Sequence, residues 1–321
     1  MSPLGIMLAI VFCSQTVVGV VGNSFLVFLF TFMFFTAHKL RPIDTIFIQL
    51  AWANFLLLLI KGIPQTMAAL GLKNFLDDVG CKLVFYLHRV ARALSLNMTC
   101  LLSGFQAITI SPNTSRWTRL KTRTPTYIIP CSFLSWIFHL IVNISIPMRA
   151  KGTKFSKNIS NLLDYGYCYN SADSTIKVTL IAVVVSLPDI ACVGVMVFAS
   201  SYMILFLKKH HKRVQHIHTS RLYLRAPPEI RATQSILLLV NTFVSFSSLN
   251  SILVIYMSFK NPRPWMLHSS NFLAACFPII SPFVLISMDS QVLKYCCVLR
   301  EALHFLPFLV SPVLSKEPSP S

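Results

Sequence analysis

From Met1 to Ala37 the chain carries no Lys, Arg, Asp or Glu. A run of that length is far longer than a globular core helix needs, and it exceeds the roughly 20 apolar residues that cross a bilayer core of about 30 Å. Similar stretches recur. Thr45–Ile60 is uncharged and continues past Lys61 to about Leu72; Gly80–Ile110 is apolar apart from Lys82, Arg89 and Arg92. Thr124–Met148, Ala232–Phe259 and Trp265–Met288 contain no formal charge, and Val178–Leu207 contains only Asp189. The pattern predicts seven membrane spans over about 5–35, 45–70, 82–110, 126–147, 177–207, 232–257 and 265–288. Proline at 64, 188, 278 and 282 does not argue against helix, because membrane helices tolerate it. The expected architecture is an all-α membrane protein: a seven-transmembrane bundle over 1–290 with a short tail over 291–321. The first run has no basic flank and is too long for a signal-peptide core, so it reads as a signal anchor.

Only 12% of the residues are charged, about half the share of a typical soluble domain, which excludes an ordinary cytosolic enzyme. The net charge of +18 would suggest nucleic acid in a soluble chain, but here the cations sit between apolar runs and report orientation. Sixteen of the 28 Lys and Arg fall in one set of loops and the tail, including Arg116, Arg119, Lys121, Lys208, Arg213 and Arg231, and seven fall in the opposite set. The N-terminus is therefore expected outside and the tail in the cytoplasm. Clustered cations at helix ends attract anionic lipid, and that role accounts for many of them. Five cations lie in or beside the spans: Lys61, Lys82, Arg89, Arg92 and Lys177.

Nine cysteines cannot all pair within one chain. Cys13, Cys100, Cys131, Cys192 and Cys276 lie in spans, where small buried apolar residues are expected. Cys296 and Cys297 stand just past the last span, placed for palmitoylation or as plain thiols at the interface. Of four N-x-S/T sequons, Asn97 is inside a span, Asn113 is cytoplasmic and Asn143 is too near the membrane. Asn158, in the long outer loop, is the glycosylation candidate. His210, His211, His216 and His218 lie in a basic loop that repels cations, so no metal and no cofactor are expected. A membrane enzyme would need a metal or nucleophile cluster, and none is present.

Several residues go further than topology. Gly22-Asn23, Leu50-Ala51-Trp52-Ala53-Asn54, Trp136 and Pro188 resemble the marker positions of rhodopsin-like G-protein-coupled receptors, with Asn54 where most carry Asp. The third span then ends in Gln106-Ala107-Ile108-Thr109-Ile110-Ser111-Pro112 instead of Asp/Glu-Arg-Tyr, and the sixth lacks Pro. The seventh has Ser281-Pro282-Phe283-Val284-Leu285 in place of Asn-Pro-x-x-Tyr. These departures, with Lys61-Gly62-Ile63-Pro64-Gln65-Thr66, Thr99-Cys100-Leu101-Leu102-Ser103, Ser186-Leu187-Pro188-Asp189, Arg213-Val214-Gln215-His216-Ile217 and Arg231-Ala232-Thr233-Gln234-Ser235, resemble the vomeronasal type-1 receptors. The resemblance runs over roughly residues 15 to 290. It implies a plasma-membrane chemosensory receptor of the pheromone type, with a small volatile or steroid-like ligand and a heterotrimeric G protein of the inhibitory type as partners. Arg116, Arg119, Lys121, Lys208, Arg213 and Arg231 would face that G protein. Position and resemblance together pair Cys81, at the outer end of the third span, with Cys168 in the outer loop. Two alternatives remain at this stage: a bitter-taste-like receptor, against which the Cys81/Cys168 pair weighs, and a small-molecule transporter.

Ionisable groups within a membrane are costly and are functional candidates by default. His88 and Arg92 are four apart and share a helix face that Arg89 borders. Arg92 lies roughly 16 Å along the helix from Cys81. Lys61 should approach the same cavity, with Phe85 as an aromatic companion. The expected site is a cationic rim of Lys61, Phe85, His88, Arg89 and Arg92 that binds an amphipathic anion, since guanidinium donors match carboxylate or sulfate oxygens in pairs. The competing structural reading pairs Asp189 with Arg92.

Overall fold

The computed structural model describes residues 3–37, 41–72, 75–112, 114–145, 150–151, 162–164, 167–171, 176–217, 228–259 and 264–288. Seven helices occupy these segments: α1 (Pro3–Ala37), α2 (Pro42–Ala69), α3 (Asp78–Ile110), α4 (Ser115–Val142), α5 (Ile176–Ile217), α6 (Pro228–Phe259) and α7 (Pro264–Met288). Each contains a segment long and apolar enough to cross a membrane. They are helical because hydrocarbon offers no partner to backbone N–H and C=O, so each segment must satisfy its own. At the starts of α3 and α2, side chains supply missing partners. Asp77 accepts from the Gly80 amide at 2.7 Å, and Asp44 accepts from the Arg41 amide at 2.8 Å while gripping the Arg41 guanidinium.

The bundle is sequentially wound, with α1 packed on both α2 and α7 to close the ring and α3 touching α2, α4, α5 and α6. Its core runs along α3 through Leu94, Met98 and Leu102, flanked by Leu26, Leu50, Met196, Leu239 and Phe277. Large apolar side chains such as Ile10, Phe35, Ile137 and Phe198 lie exposed on the perimeter, as a lipid-facing surface requires. α1 approaches α2 and α7 closely because it presents glycine: a β-carbon on Gly22 would stand 3.1 Å from the Pro282 ring, and one on Gly19 would meet Leu58.

Neutral polar groups tie the helices together. Asn54 on α2 accepts from Ser95 on α3 at 2.6 Å and donates to Ser281 on α7 at 2.8 Å. Pro282 has no N–H, so the Pro278 carbonyl loses its helical donor. Asn23 on α1 supplies the replacement at 2.9 Å. Trp136 on α4 donates to Gln49 on α2 at 3.1 Å, and Gln49 donates on to Ser132 at 2.9 Å. The marker residues Asn23, Asn54 and Trp136 are therefore helix-to-helix fasteners.

One feature lies beyond the sequence-based expectations. Three short strands, β1 (Ala150–Lys151), β2 (Leu162–Asp164) and β3 (Tyr169–Ser171), form an antiparallel sheet in the order β1-β3-β2 between α4 and α5. Such pairing depends on contacts distant in sequence, which no local pattern announces. Cys168, just before β3, is bonded to Cys81 in the first turn of α3, with Cα atoms 5.8 Å apart. Both are fully buried, and Tyr167, Phe75, Leu76, Val84 and Phe85 pack around them.

Candidate ligand-binding site

The polar groups of α3 nearest the disulfide end open onto cavities. The main one, of about 500 Å³, lies between α3, α5 and α6. Arg89, Arg92, Asp189, Ser186, Ser247, Ser248 and Ser251 give it a polar wall; Leu96, Ile190, Val193, Phe243, Val244 and Ile252 give it an apolar one. That volume falls within the range of small-molecule sites, and the mix of an apolar lining with a few converging polar groups is typical of them. Ile190 and Ile252 are themselves largely exposed, so the cavity is open at the perimeter between α5 and α6. Arg92, Phe243 and Ser247 also line a smaller cavity of about 30 Å³, which extends to His88, Ser95 and Asn250 and reaches α2 and α7. Arg92 is thus the hinge between two spaces.

The expected cationic rim is divided by the structure. Arg89 Nη2 stands 2.7 Å from Asp189 Oδ2, and each side chain keeps about a fifth of its surface exposed. The pairing of Asp189 with Arg92 expected as the structural reading is therefore corrected: Arg89 is the partner, because the border of the His88–Arg92 face is the part of α3 turned toward α5. Arg92 lies close enough to feel both Arg89 and Asp189. His88 keeps to the smaller cavity, and its Nδ1, sealed from solvent, has no hydrogen-bond partner among the described residues. Lys61 does not share the rim. It lines a third cavity, of about 10 Å³, with Phe12, Gln15, Thr16 and Gln65 between α1, α2 and α7. Phe85 packs against the Cys81–Cys168 disulfide and lines none of the three.

Sequence reasoning missed the α6 wall. The segment Ser245-Phe246-Ser247-Ser248-Leu249-Asn250-Ser251 places five polar residues among seven within a membrane span. That density was the available signal. Asn250 accepts from Ser270 on α7 at 2.6 Å, which fixes this stretch against its neighbour.

At the opposite end of the bundle stand the basic residues. Lys121 donates to the Ser111 carbonyl at 2.6 Å and so completes the end of α3. Ser111 and Tyr202 share a hydrogen bond of 2.9 Å, and Trp117 stacks on Tyr202 with ring centroids 6.3 Å apart. Arg119 and Lys208 are exposed; Arg116, Arg213 and Arg231 fall within α4, α5 and α6 at that same end. Where Asp/Glu-Arg-Tyr would stand, Gln106 Nε2 donates to Thr233 Oγ1 of α6 at 2.9 Å, both residues buried. Asn158, Cys296 and Cys297 lie outside the described residues.

The architecture is that of the rhodopsin-type seven-helix receptors: squid rhodopsin superposes with a TM-score of 0.68 at 16% identity, over 92% of this chain and 85% of that one. Within that class the sequence is specific. Residues 6–298 match the vomeronasal organ pheromone receptor family, and the chain belongs to that family. It is 45% identical to human vomeronasal type-1 receptor 1 over 93% of this chain and 85% of that protein. It is 47% identical to human vomeronasal type-1 receptor 4, over 88% and 94% respectively. A zebrafish (Danio rerio) protein, olfactory receptor class A-like protein 1, is 31% identical over 88% of this chain and 89% of its own length. The molecule is a chemosensory G-protein-coupled receptor, a multi-pass protein of the plasma membrane and not an enzyme. Family membership displaces the bitter-taste-like and transporter alternatives.

Proposed function

We propose that this receptor detects a pheromone-type, amphipathic anion held in the cavity between α3, α5 and α6, with its anionic group on Arg92 and its apolar body against Phe243, Val193 and Leu96. The observation that carries the reading is the 500 Å³ cavity itself, apolar along most of its wall and ending on two guanidinium groups of which one is matched by Asp189. Arg92 contributes a cation with no hydrogen bond or ion pair among the described residues. A steroid-like sulfate or carboxylate has both parts of this chemistry, and the planar donors of Arg meet its oxygens bidentately. Neutral volatiles fit the apolar wall alone and are expected to bind less tightly.

In this reading the disulfide end faces outward and the basic end faces the cytoplasm, in keeping with the distribution of Lys and Arg. Ligand contact with α3, α5 and α6 favours one arrangement of these helices over another, a shift between states that already exist. The same three helices end among Arg116, Arg119, Lys208, Arg213 and Arg231, where an inhibitory-type G protein docks. Calcium imaging of cells that co-express the chain with a promiscuous G protein tests this, using sulfated steroids, their neutral parents and small volatiles as probes. The expected result is a response led by the sulfated set. Responses confined to neutral volatiles would remove the anionic part of the reading.

A further inference from the structure

Side-chain amides set α6 apart from the other helices. Every other helical Asn or Gln whose side chain is described is buried or half-buried, Asn23, Asn54 and Gln106 among them, whereas Gln234 and Asn241 of α6 are exposed. The two lie about two helical turns apart and so share a face. Ser245 and Ser248, also exposed, continue that face toward the disulfide end. It is turned away from the protein. Ile236, Leu239, Val240 and Phe243 are buried in the core of the bundle. Asn241 and Ser245 flank Phe243 two residues to either side, which sets each of them roughly 160° round the helix from it. The apolar stretch of this span is Ile236–Leu253, so Asn241 and Ser245 lie at the depth of the hydrocarbon, Ser245 near its middle. None of Asn241, Ser245 and Ser248 makes a side-chain hydrogen bond among the described residues. Hydrocarbon offers neither donors nor acceptors, so a bare amide there is costly.

Whatever covers this face must bring hydrogen-bonding groups to the same depth. An amide carries two N–H donors and a carbonyl acceptor, and another amide answers both. A second copy of the chain brings one without further requirement. All copies insert in the same orientation, and a two-fold axis along the membrane normal sets Asn241 opposite Asn241 at identical depth. An unrelated helix would need polar groups of its own at matching heights. We propose that the receptor forms a two-fold dimer through α6, in which the Asn241 amides exchange hydrogen bonds across the axis and Ser245 and Ser248 pack beside them. Small residues suit such a seam because they let helix backbones approach closely. Ser248 and Ile252 are exposed and also line the large cavity, so the second copy borders the open side of that cavity.

The dimer is tested on the full-length receptor without ligand. Fluorescently tagged copies are counted by single-molecule photobleaching in the plasma membrane over a range of surface densities. The share of two-step spots should rise with density. Asn241→Leu, apolar at a lipid-facing position, should reach the surface normally and weaken association about 3- to 30-fold, the range for interhelical hydrogen bonds in membranes. The seam itself is read from Ser245→Cys, oxidised within the membrane. A two-fold axis brings like residues together, so a cross-linked homodimer should appear that the native receptor lacks, although Cys13 and Cys131 are exposed on α1 and α4. Equal dimer fractions for native receptor and Asn241→Leu would overturn the proposal, and so would a Ser245→Cys homodimer no stronger than the native background. Cross-linking of Ser245→Cys to a different protein instead would assign the face to another partner and overturn it equally. Should Asn241→Leu fail to reach the surface, the Ser245→Cys result decides alone.

Discussion

The two halves of this bundle treat buried polar groups in opposite ways. Toward the Gln106 end, the polar side chains that join helices are neutral and matched: Asn54 with Ser95 and Ser281, Gln49 with Trp136 and Ser132, Gln106 with Thr233. Toward the disulfide end they are cationic and partly unmatched, with Lys61, Arg92 and His88 beside cavities. Burial in a low-dielectric medium penalises every polar group that lacks a partner. The first half therefore holds helices to one another, while the second keeps chemical capacity in reserve for something that enters. The Arg89–Asp189 pair sits in the second half yet behaves like the first, which makes it the natural control.

Removing the covalent restraint of the cationic half should have the largest effect. Cys81→Ser or Cys168→Ser opens a loop of 87 residues, a chain-entropy loss of about 4–5 kcal/mol. Surface expression, measured by antibody against an N-terminal tag on unpermeabilised cells, should fall to near background. Next comes the control pair. Arg89→Gln strands the Asp189 carboxylate and should lower stability by about 2–3 kcal/mol, at or below the low end of the range for a fully buried pair because both groups keep some exposure. Adding Asp189→Asn should restore most of the lost thermal midpoint; a double variant as unstable as the single one would show that the pair is not the source.

The neutral half should respond more gently. Asn54→Ala leaves the Ser95 and Ser281 hydroxyls without their partner, a cost of about 1–2 kcal/mol, visible as a lower thermal midpoint with ligand potency little changed. Smallest is the α3–α6 contact. Thr233→Val removes one hydrogen bond of about 0.6 kcal/mol in a membrane setting, which corresponds to a roughly two- to threefold rise in ligand-independent signalling if this contact favours the resting state. A fall in basal signalling would assign the contact to the active arrangement instead.

Much of this contrast is legible in the sequence, and the part that is not has a physical reason. Charge-free runs announce the helices, since nothing but a self-satisfied backbone survives in hydrocarbon. The residues Lys61, His88, Arg89 and Arg92 stand out because charge in a span is rare. Their partners do not. Which of two arginines three positions apart meets Asp189 depends on how α3 and α5 are rotated about their axes, and α5, apolar on every side, carries no periodic signal of that rotation. For the same reason the sequence groups Lys61 with the α3 cations although it turns toward α1. The serines of α6 escape notice because single hydroxyls in membrane helices are ordinary; only their density between Ser245 and Ser251 marks a wall. The loop sheet needs long-range pairing that no local pattern carries.

The central claim is that Arg92 is held unmatched in order to receive an anion. It is tested by comparing dose–response curves of the native receptor and Arg92→Gln for one sulfated steroid and its uncharged parent, at matched surface expression. The account predicts that the sulfate loses about 10- to 100-fold in potency, the scale of a lost charge-assisted contact, while the parent's potency changes little. Equal losses for both compounds, or none for the sulfate, would contradict it.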